Sequence, residues 1–195
     1  RYFMAPGDNP WNITARFLHS MQYWKPLLRL NNVDRPRQLP PGTELNIPLS
    51  WLKIEAATTR VKDAGGDAVY TSAADGQVRP LQPDTLLAGG DRINIGEQGS
   101  AVLEYTDGST LFLGSNTAVT LERVNKFSNS GVADSEVKLE AGRTENQVKT
   151  RGSRFEIKTP SASTAVRGTQ FRTSVDSVDN KVSRVEVLSG SVAVD

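Results

Sequence analysis

The side chains that could do chemistry are few in this sequence. Among 195 residues there is no cysteine and a single histidine, His19. Disulfides, thiolate metal sites and cysteine nucleophiles are excluded. A serine nucleophile needs an imidazole beside it, and His19 reads as an exposed loop residue in a small N-terminal unit. No His-Glu-x-x-His, nucleophile elbow or phosphate-cradling glycine loop is present. Asp91, Glu104 and Asp107 could supply a carboxylate pair for glycoside hydrolysis, but turn aspartates and exposed strand glutamates account for them. Arg167 beside Gly168 could bind an anion, yet a glycine that permits a bend, with Phe171 packed inward, explains that stretch. The chain is read as non-catalytic, with no metal and no cofactor. What remains is a pair of amide-rich, glycine-containing loops, Gly7-Asp8-Asn9-Pro10-Trp11-Asn12-Ile13 and Leu39-Pro40-Pro41-Gly42-Thr43-Glu44-Leu45-Asn46-Ile47-Pro48.

These loops must be positioned by a folded body. The apolar fraction of 37% suits a globular chain. Basic and acidic residues, 23 against 22, nearly cancel, so no field draws in nucleic acid or an anionic membrane surface. No apolar run approaches the ~20 residues that span a bilayer. The sequence opens at Arg1 with nothing like a signal peptide, and is read as trimmed of any targeting segment.

The first loop follows a short apolar run, Tyr2-Phe3-Met4, closed by Pro6-Gly7, as a strand entering a turn. Asn9 is a good helix N-cap and Pro10 falls at the first helical position, where a missing N–H costs nothing. Asp8 is the rival cap. Trp11, Thr14, Ala15 and Leu18 share one face of the helix, beside a row of Ile13 and Phe17. A second helix is expected through Leu27, Leu28 and Leu30, with Pro26 near its start and Asn31-Asn32 at its end. Thr43 to Ile47 then alternates as a half-buried strand pairing back to Tyr2-Phe3-Met4. The predicted order over residues 1–48 is strand, helix, helix, strand, an α+β unit.

Three ordered blocks in this unit, Gly7-Asp8-x-x-Trp11-x-Ile13, Leu27-Leu28-x-Leu30-Asn31 and Leu39-x-Pro41-Gly42-x-x-Leu45-x-Ile47-Pro48, resemble a LysM module. The resemblance implies binding of N-acetylglucosamine-containing glycan, peptidoglycan or chitin. Its groove would be lined by Gly7, Asp8, Asn9 and Pro10 on one side and by Leu30, Asn31, Asn32, Pro41 and Gly42 on the other. Acetamido groups need a donor, an acceptor and a small apolar wall, and loop amides beside leucine and proline offer all three. Asn9 and Pro10 replace the usual hydroxyl and apolar residues. The helix connection is longer than usual and holds His19, Tyr23 and Trp24. The two aromatics could stack on a sugar but are expected to fill core.

Residues 49–60 do not read as a flexible tether. Trp51, Leu52 and Ile54 are apolar, and a unit of under ~50 residues without disulfides buries little core alone. Docking of this segment, with Trp51 buried, is expected. From residue 61 onward, glycine punctuates threonine- and valine-rich runs with no helical period, so short strands are expected. The clearest hairpin runs from Ala101 to Leu113 around Asp107-Gly108. A two-residue turn there would set Leu103 opposite Phe112, Tyr105 opposite Thr110 and Val102 opposite Leu113, with both faces apolar and covered. Further strands are expected at 119–124, 136–140, 144–149, 155–158, 169–175, 182–187 and 191–194. A surface loop is expected near Ser128-Asn129-Ser130-Gly131. Val137-x-Leu139-x-x-Gly142 is echoed by Val185-x-Val187-x-x-Gly190, which suggests a stacked sheet, a β-roll or a solenoid-like winding.

Gly90-Asp91-x-Ile93, Ser100-Ala101-x-Leu103, Asp107-Gly108-Ser109, Leu139-x-x-Gly142, Phe155-x-Ile157-x-Thr159 and Val166-x-Gly168-Thr169-x-Phe171, then Val185-x-Val187-x-x-Gly190-x-Val192, resemble a FecR domain over about residues 68–195. That resemblance implies a bacterial envelope regulator whose periplasmic part contacts the signalling domain of a transporter and relays the signal to a sigma factor. Two functions are therefore expected. In the first, a periplasmic or cell-envelope protein binds peptidoglycan through the N-terminal unit, with the β body as platform. In the second, the β body binds an envelope protein partner and the N-terminal unit is a spacer.

Overall fold

The computed structural model describes residues 1–128, 132–149, 153–166, 170–175, 182–189 and 192–194. Contacts divide the chain into two compact units, Arg1–Glu55 with Phe127–Ser130, and Ala56–Lys126 with Gly131–Asp195.

In the first unit, β1 (Tyr2–Phe3) is followed by α1 (Pro10–Phe17), α2 (Trp24–Leu30) and β2 (Glu44–Leu45). β1 and β2 pair antiparallel, Tyr2 opposite Leu45 and Phe3 opposite Glu44. The ladder continues as the Met4 N–H donates to the Thr43 carbonyl at 3.0 Å and the Gly42 N–H to the Met4 carbonyl at 2.7 Å. The expected order of elements is present.

Asn9 starts α1 through a reciprocal cap. Its Oδ1 accepts the Asn12 N–H at 3.0 Å, while Asn12 Oδ1 accepts the Asn9 N–H at 2.9 Å. The buried stripe is Pro10, Ile13, Thr14 and Phe17, which is the i, i+3, i+4, i+7 set counted from the proline. Trp11 and Ala15, expected on the inner face, are exposed. The Trp11 ring instead meets the Trp24 ring edge-on, centroids 5.5 Å apart.

The long helix connection folds as a 3-10 turn, Met21–Tyr23, capped by Ser20. Tyr23 and Trp24 are half-buried rather than core. Trp51, expected to be buried, is also half-buried and stacks on Tyr23 at 4.7 Å. Its segment closes over the end of α1, where carbonyls lack helical partners. The Lys53 N–H donates to the Phe17 carbonyl at 2.8 Å and Lys53 Nζ to that of Ala15 at 2.7 Å. Leu18 and Leu52 form a β-bridge, both buried.

The remaining strands are β3 (Ile54–Ala56), β4 (Thr59–Gly65), β5 (Ala68–Thr71), β6 (Val78–Pro80), β7 (Leu86–Leu87), β8 (Arg92–Ile95), β9 (Ser100–Glu104), β10 (Thr110–Leu113), β11 (Thr117–Phe127), β12 (Ala133–Gln147), β13 (Arg154–Lys158), β14 (Ser163–Val166), β15 (Gln170–Val175), β16 (Ser183–Ser189) and β17 (Val192–Val194). One run of neighbours reads β6-β5-β8-β11-β12-β13-β14-β17 and another β7-β4-β9-β10-β12-β15-β16. Both contain β12. Their inner faces share one core, to which Ile93, Val119, Val137 and Ile157 come from the first run and Val61, Leu103, Leu111 and Phe171 from the second. A curled, mainly antiparallel sheet closed over a core is therefore observed, in which β12 and β13 are parallel neighbours. Among the described residues, no helix is long and apolar enough to cross a membrane.

Two expectations about the strands of the second unit are corrected. Residues 136–140 and 144–149 were separate strands on the sequence pattern, because Ala141-Gly142 reads as a break. They are instead parts of β12, which turns at Gly142 with φ 88° and keeps its pairing. Residues before the turn pair with β11 and β13, and those after it with β10 and β15. The hairpin register also shifts by one. Leu103 faces Leu111, Val102 faces Phe112 and Ala101 faces Leu113, because the loop is Thr106-Asp107-Gly108. Tyr105 accepts the Gly108 N–H and donates its own N–H to Ser109, both at 2.9 Å. Gly108 at φ 78° takes the left-handed place that a three-residue loop requires. One side of the hairpin is consequently buried, while Phe112 on the other is exposed.

β14 was not anticipated, since Ser163 and Thr164 give no apolar alternation. Residues 129–131 of the expected loop, and Gly190 of the echo, lie outside the described residues.

A methyl group on Gly142 would meet Thr117 Oγ1, and lie 2.5 Å from the Asn116 carbonyl oxygen and 2.6 Å from Thr117 Cα. Gly142→Ala is expected to cost about 3 kcal/mol, from steric overlap added to the left-handed backbone. Urea denaturation followed by far-UV circular dichroism checks this; an unchanged midpoint would show that the turn relaxes freely.

Candidate functional site

The proposed glycan loops are both well ordered by their own hydrogen bonds. The Asp8 carboxylate accepts the Tyr2 hydroxyl at 2.5 Å, the Ala5 N–H at 2.8 Å and Arg16 Nη2 at 3.3 Å. Arg16 also donates to the Tyr2 oxygen at 2.8 Å. The Tyr2 hydroxyl, more than the Ala5 amide and Arg16, holds the Asp8 pKa below the ordinary aspartate value. Burial, together with the Asp8 charge, pushes the Tyr2 hydroxyl up.

Asn31 is equally committed. Its Nδ2 donates to the Leu27 carbonyl at 2.9 Å and the Asn46 carbonyl at 3.0 Å, and its Oδ1 accepts the Asn46 N–H at 2.7 Å. The side chain thus stands in for a strand neighbour and ties the end of α2 to the end of β2. Asn9 is used by the α1 cap and Pro10 is buried.

The surface that these groups leave open is narrower than expected. Gly7, Leu30, Asn32, Pro41 and Gly42 are exposed. Gly7 and Gly42 have φ of 86° and 84° and no atom within 4 Å of where a Cβ would stand, and Asn32 has φ 51°. Pro41-Gly42 is fixed beside β1 by the Gly42–Met4 bond, and Asn31 beside β2. A shallow hollow adjoins Asn32, with Lys25, Leu28, Arg29, Val33 and Asp34 around it. His19 is exposed and rests edge-on against Tyr23.

The carboxylates raised as an acid–base pair have other partners. Asp91 is buried and accepts the Ala73 and Ala88 N–H groups, both at 2.8 Å. Glu104 pairs with Arg60 at 2.6 Å and Lys62 at 3.4 Å, and these, Arg60 first, hold its pKa down. Asp107 accepts from the Ser109 amide and hydroxyl and from the Ser153 hydroxyl at 2.9, 2.8 and 2.6 Å. Arg167, Gly168 and Thr169 lie outside the described residues.

The second unit carries a surface that the sequence did not single out. An open groove of about 460 Å³ is lined by Phe112, Arg143, Glu145, Arg172, Arg184 and Glu186, with Thr144, Thr173 and Ser174. Strand register assembles it. Phe112 is opposite Glu145, Glu145 opposite Arg172, and Arg172 opposite Glu186. Arg172 Nε and Gln170 Nε2 donate to Glu145 at 2.8 and 2.9 Å, and Arg172 is the main cause of its lowered pKa. The Arg143 side chain lies across Gly114, where an added Cβ would be 2.8 Å from its Nε. An exposed aromatic ring beside arginines suits protein recognition. The signal available in sequence was charge at alternate strand positions, Arg143-x-Glu145 and Arg184-x-Glu186, but only the register joins them.

Among known proteins, the FecR protein family matches residues 91–193. The N-terminal blocks that resemble LysM fall outside the match. No curated protein matches the chain. Among solved structures, a candidate anti-sigma factor from Parabacteroides distasonis is similar at 22% identity with a TM-score of 0.43, over 53% of this chain and 46% of that one.

Asp8 contributes stability above the ordinary aspartate pKa, and that contribution is lost as pH falls through its lower folded value. Asp8→Asn is expected to flatten this acid-limb loss in thermal midpoint. In the parent chain the chemical shift of the Ala5 amide proton, which is hydrogen-bonded to Asp8, should report Asp8 titrating below the ordinary aspartate range; a midpoint at or above that range would contradict the geometry.

Proposed function

The chain belongs to the FecR family, which matches it over residues 91–193, and from that premise we propose that it is a non-catalytic envelope signal-relay protein whose β body binds a protein partner. The observation that carries the reading is the groove around Phe112, Arg143 and Arg172. Its charges are presented by three adjacent strands, β12, β15 and β16, with Phe112 on β10 beside them, so they are held at fixed spacing before a partner arrives, and preorganisation lowers the entropic cost of binding. Arginine and aromatic residues concentrate binding energy at such surfaces. The family match supports a cell-envelope location, and we take the compartment to be the periplasm.

A second reading assigns the first unit to glycan. It is supported by the strand–helix–helix–strand order and by the exposed Gly7, Leu30, Asn32, Pro41 and Gly42. Ligand contact would come from backbone amides and apolar walls there, since the Asp8 carboxylate, Asn9 Oδ1 and the Asn31 amide are already engaged in the fold. Asn31→Ala is therefore a poor probe: it strips partners from the Asn46 backbone as well as from any ligand.

A photo-crosslinking residue at position 112, in the intact protein within cell envelopes, is expected to give one discrete protein adduct. Arg172→Glu should reduce that adduct about tenfold. No adduct, or one indifferent to Arg172→Glu, would overturn the protein-partner reading. For the second reading, retention on insoluble peptidoglycan is expected to fall several-fold in Leu30→Asp and Asn32→Lys; an intact chain that is not retained rejects it. A multivalent polymer is the right bait for a single shallow site.

A further inference from the structure

β16 pairs with β15, and among the described residues it has no neighbour on its other side. A free sheet edge offers a row of unpaired N–H and C=O groups and is a template for another strand unless charge, proline or a bulge blunts it. The edge stretch Ser183-Arg184-Val185-Glu186-Val187-Leu188 contains no proline. Its register with β15 is regular from Phe171–Val187 to Val175–Ser183. It is also apolar for an edge: Val182, just before it, is 62% exposed, and Val187 and Leu188 are exposed as well.

The charges do not protect this edge, because their spacing suits a copy of itself. Arg184 and Glu186 lie two residues apart on one face, with side chains 76% and 51% exposed and an intrastrand separation of 3.8 Å. Laid antiparallel against an identical strand about Val185, Arg184 falls opposite Glu186 of the second copy, and Glu186 opposite its Arg184. Val185 then faces Val185, and Val182 faces Leu188. The Arg184–Glu186 and Val182–Leu188 pairs each arise twice about one two-fold axis, on which Val185 meets its own copy, which is the requirement of an isologous interface. Opposite charges directly across strands stabilise a sheet and like charges destabilise it. The register centred one residue later would place Glu186 against Glu186.

We propose that β16 is a homodimerisation edge, at which two copies of this chain join antiparallel about Val185 into one continuous sheet. The occupant is a second copy rather than a foreign strand, because the Arg-x-Glu spacing is complementary to its own reversal. The proposal is independent of the partner groove, although Arg184 and Glu186 also border it, so dimerisation would set two grooves beside each other on a common sheet face.

The test is sedimentation velocity of the full chain over a concentration series, with charge reversals. The parent protein is expected to dimerise. Arg184→Glu and Glu186→Arg, each alone, put like charges opposite at both pairs and should raise the dimer dissociation constant on the order of tenfold or more. The double variant R184E/E186R restores both pairs and should dimerise like the parent. An equimolar mixture of the two single variants should form a heterodimer, since each supplies what the other lacks. Circular dichroism confirms that the variants are folded. A parent chain that stays monomeric, a dimer indifferent to the single reversals, or a mixture that fails to associate would each overturn the proposal.

Discussion

The second unit depends on how closely β12 approaches the start of β11. At Gly142 the strand turns with a left-handed φ, and the missing Cβ lets its backbone settle against Asn116 and Thr117. The Thr117 hydroxyl then serves the backbone beyond the turn, accepting the Arg143 N–H at 3.1 Å and donating to the Arg143 carbonyl at 3.2 Å. A strand that bends normally strands polar groups; here a buried threonine recovers them. Because β12 has neighbours on both sides before and after the bend, the two runs of strands curl over one core. The groove beside Arg143 inherits its shape from that turn.

A second constraint lies on the same strand. Asp134 and Glu136 are buried on β12 and are surrounded by cations. Arg123 reaches both, at 3.1 and 2.7 Å; Arg154 approaches Asp134 at 3.6 Å and Lys158 pairs with Glu136. Neighbouring strands bring these charges together, and removing one partner would leave a buried carboxylate poorly compensated. The outer surface of this part of the sheet is thus held by charge, whereas its inner surface is held by close-packed valine, leucine and isoleucine.

What could be read from sequence was local. The Asn9 cap and Pro10 specify the start of α1 within four residues, and the structure has them. The hairpin at Asp107-Gly108 was legible as a turn, but Asp-Gly fits both a two-residue loop and the end of a three-residue one, and a shift of one exchanges every cross-strand partner. The buried side of α1 was right at Ile13, Thr14, Phe17 and Leu18 and wrong at Trp11 and Ala15 for a comparable reason: counting from Trp11 or from Pro10 gives equally apolar sets, and the Trp11–Trp24 contact that decides between them is not sequential. The groove needs four strands in register, and no single stretch of chain announces it. Among the candidate glycan residues, the type of each side chain was visible, but not that the fold had already used Asp8, Asn9 and Asn31.

The placement of the aromatic residues has an optical consequence. The three tryptophans of the sequence, Trp11, Trp24 and Trp51, all fall in the first unit, where Trp11 abuts Trp24 and Trp51 stacks on Tyr23. The β body is built on aliphatic residues with phenylalanine and tyrosine. Light absorbed near the red edge of the protein spectrum therefore excites only the small unit. Its emission reports the melting, quenching or ligand response of that unit, against a β body that is dark at the same wavelength.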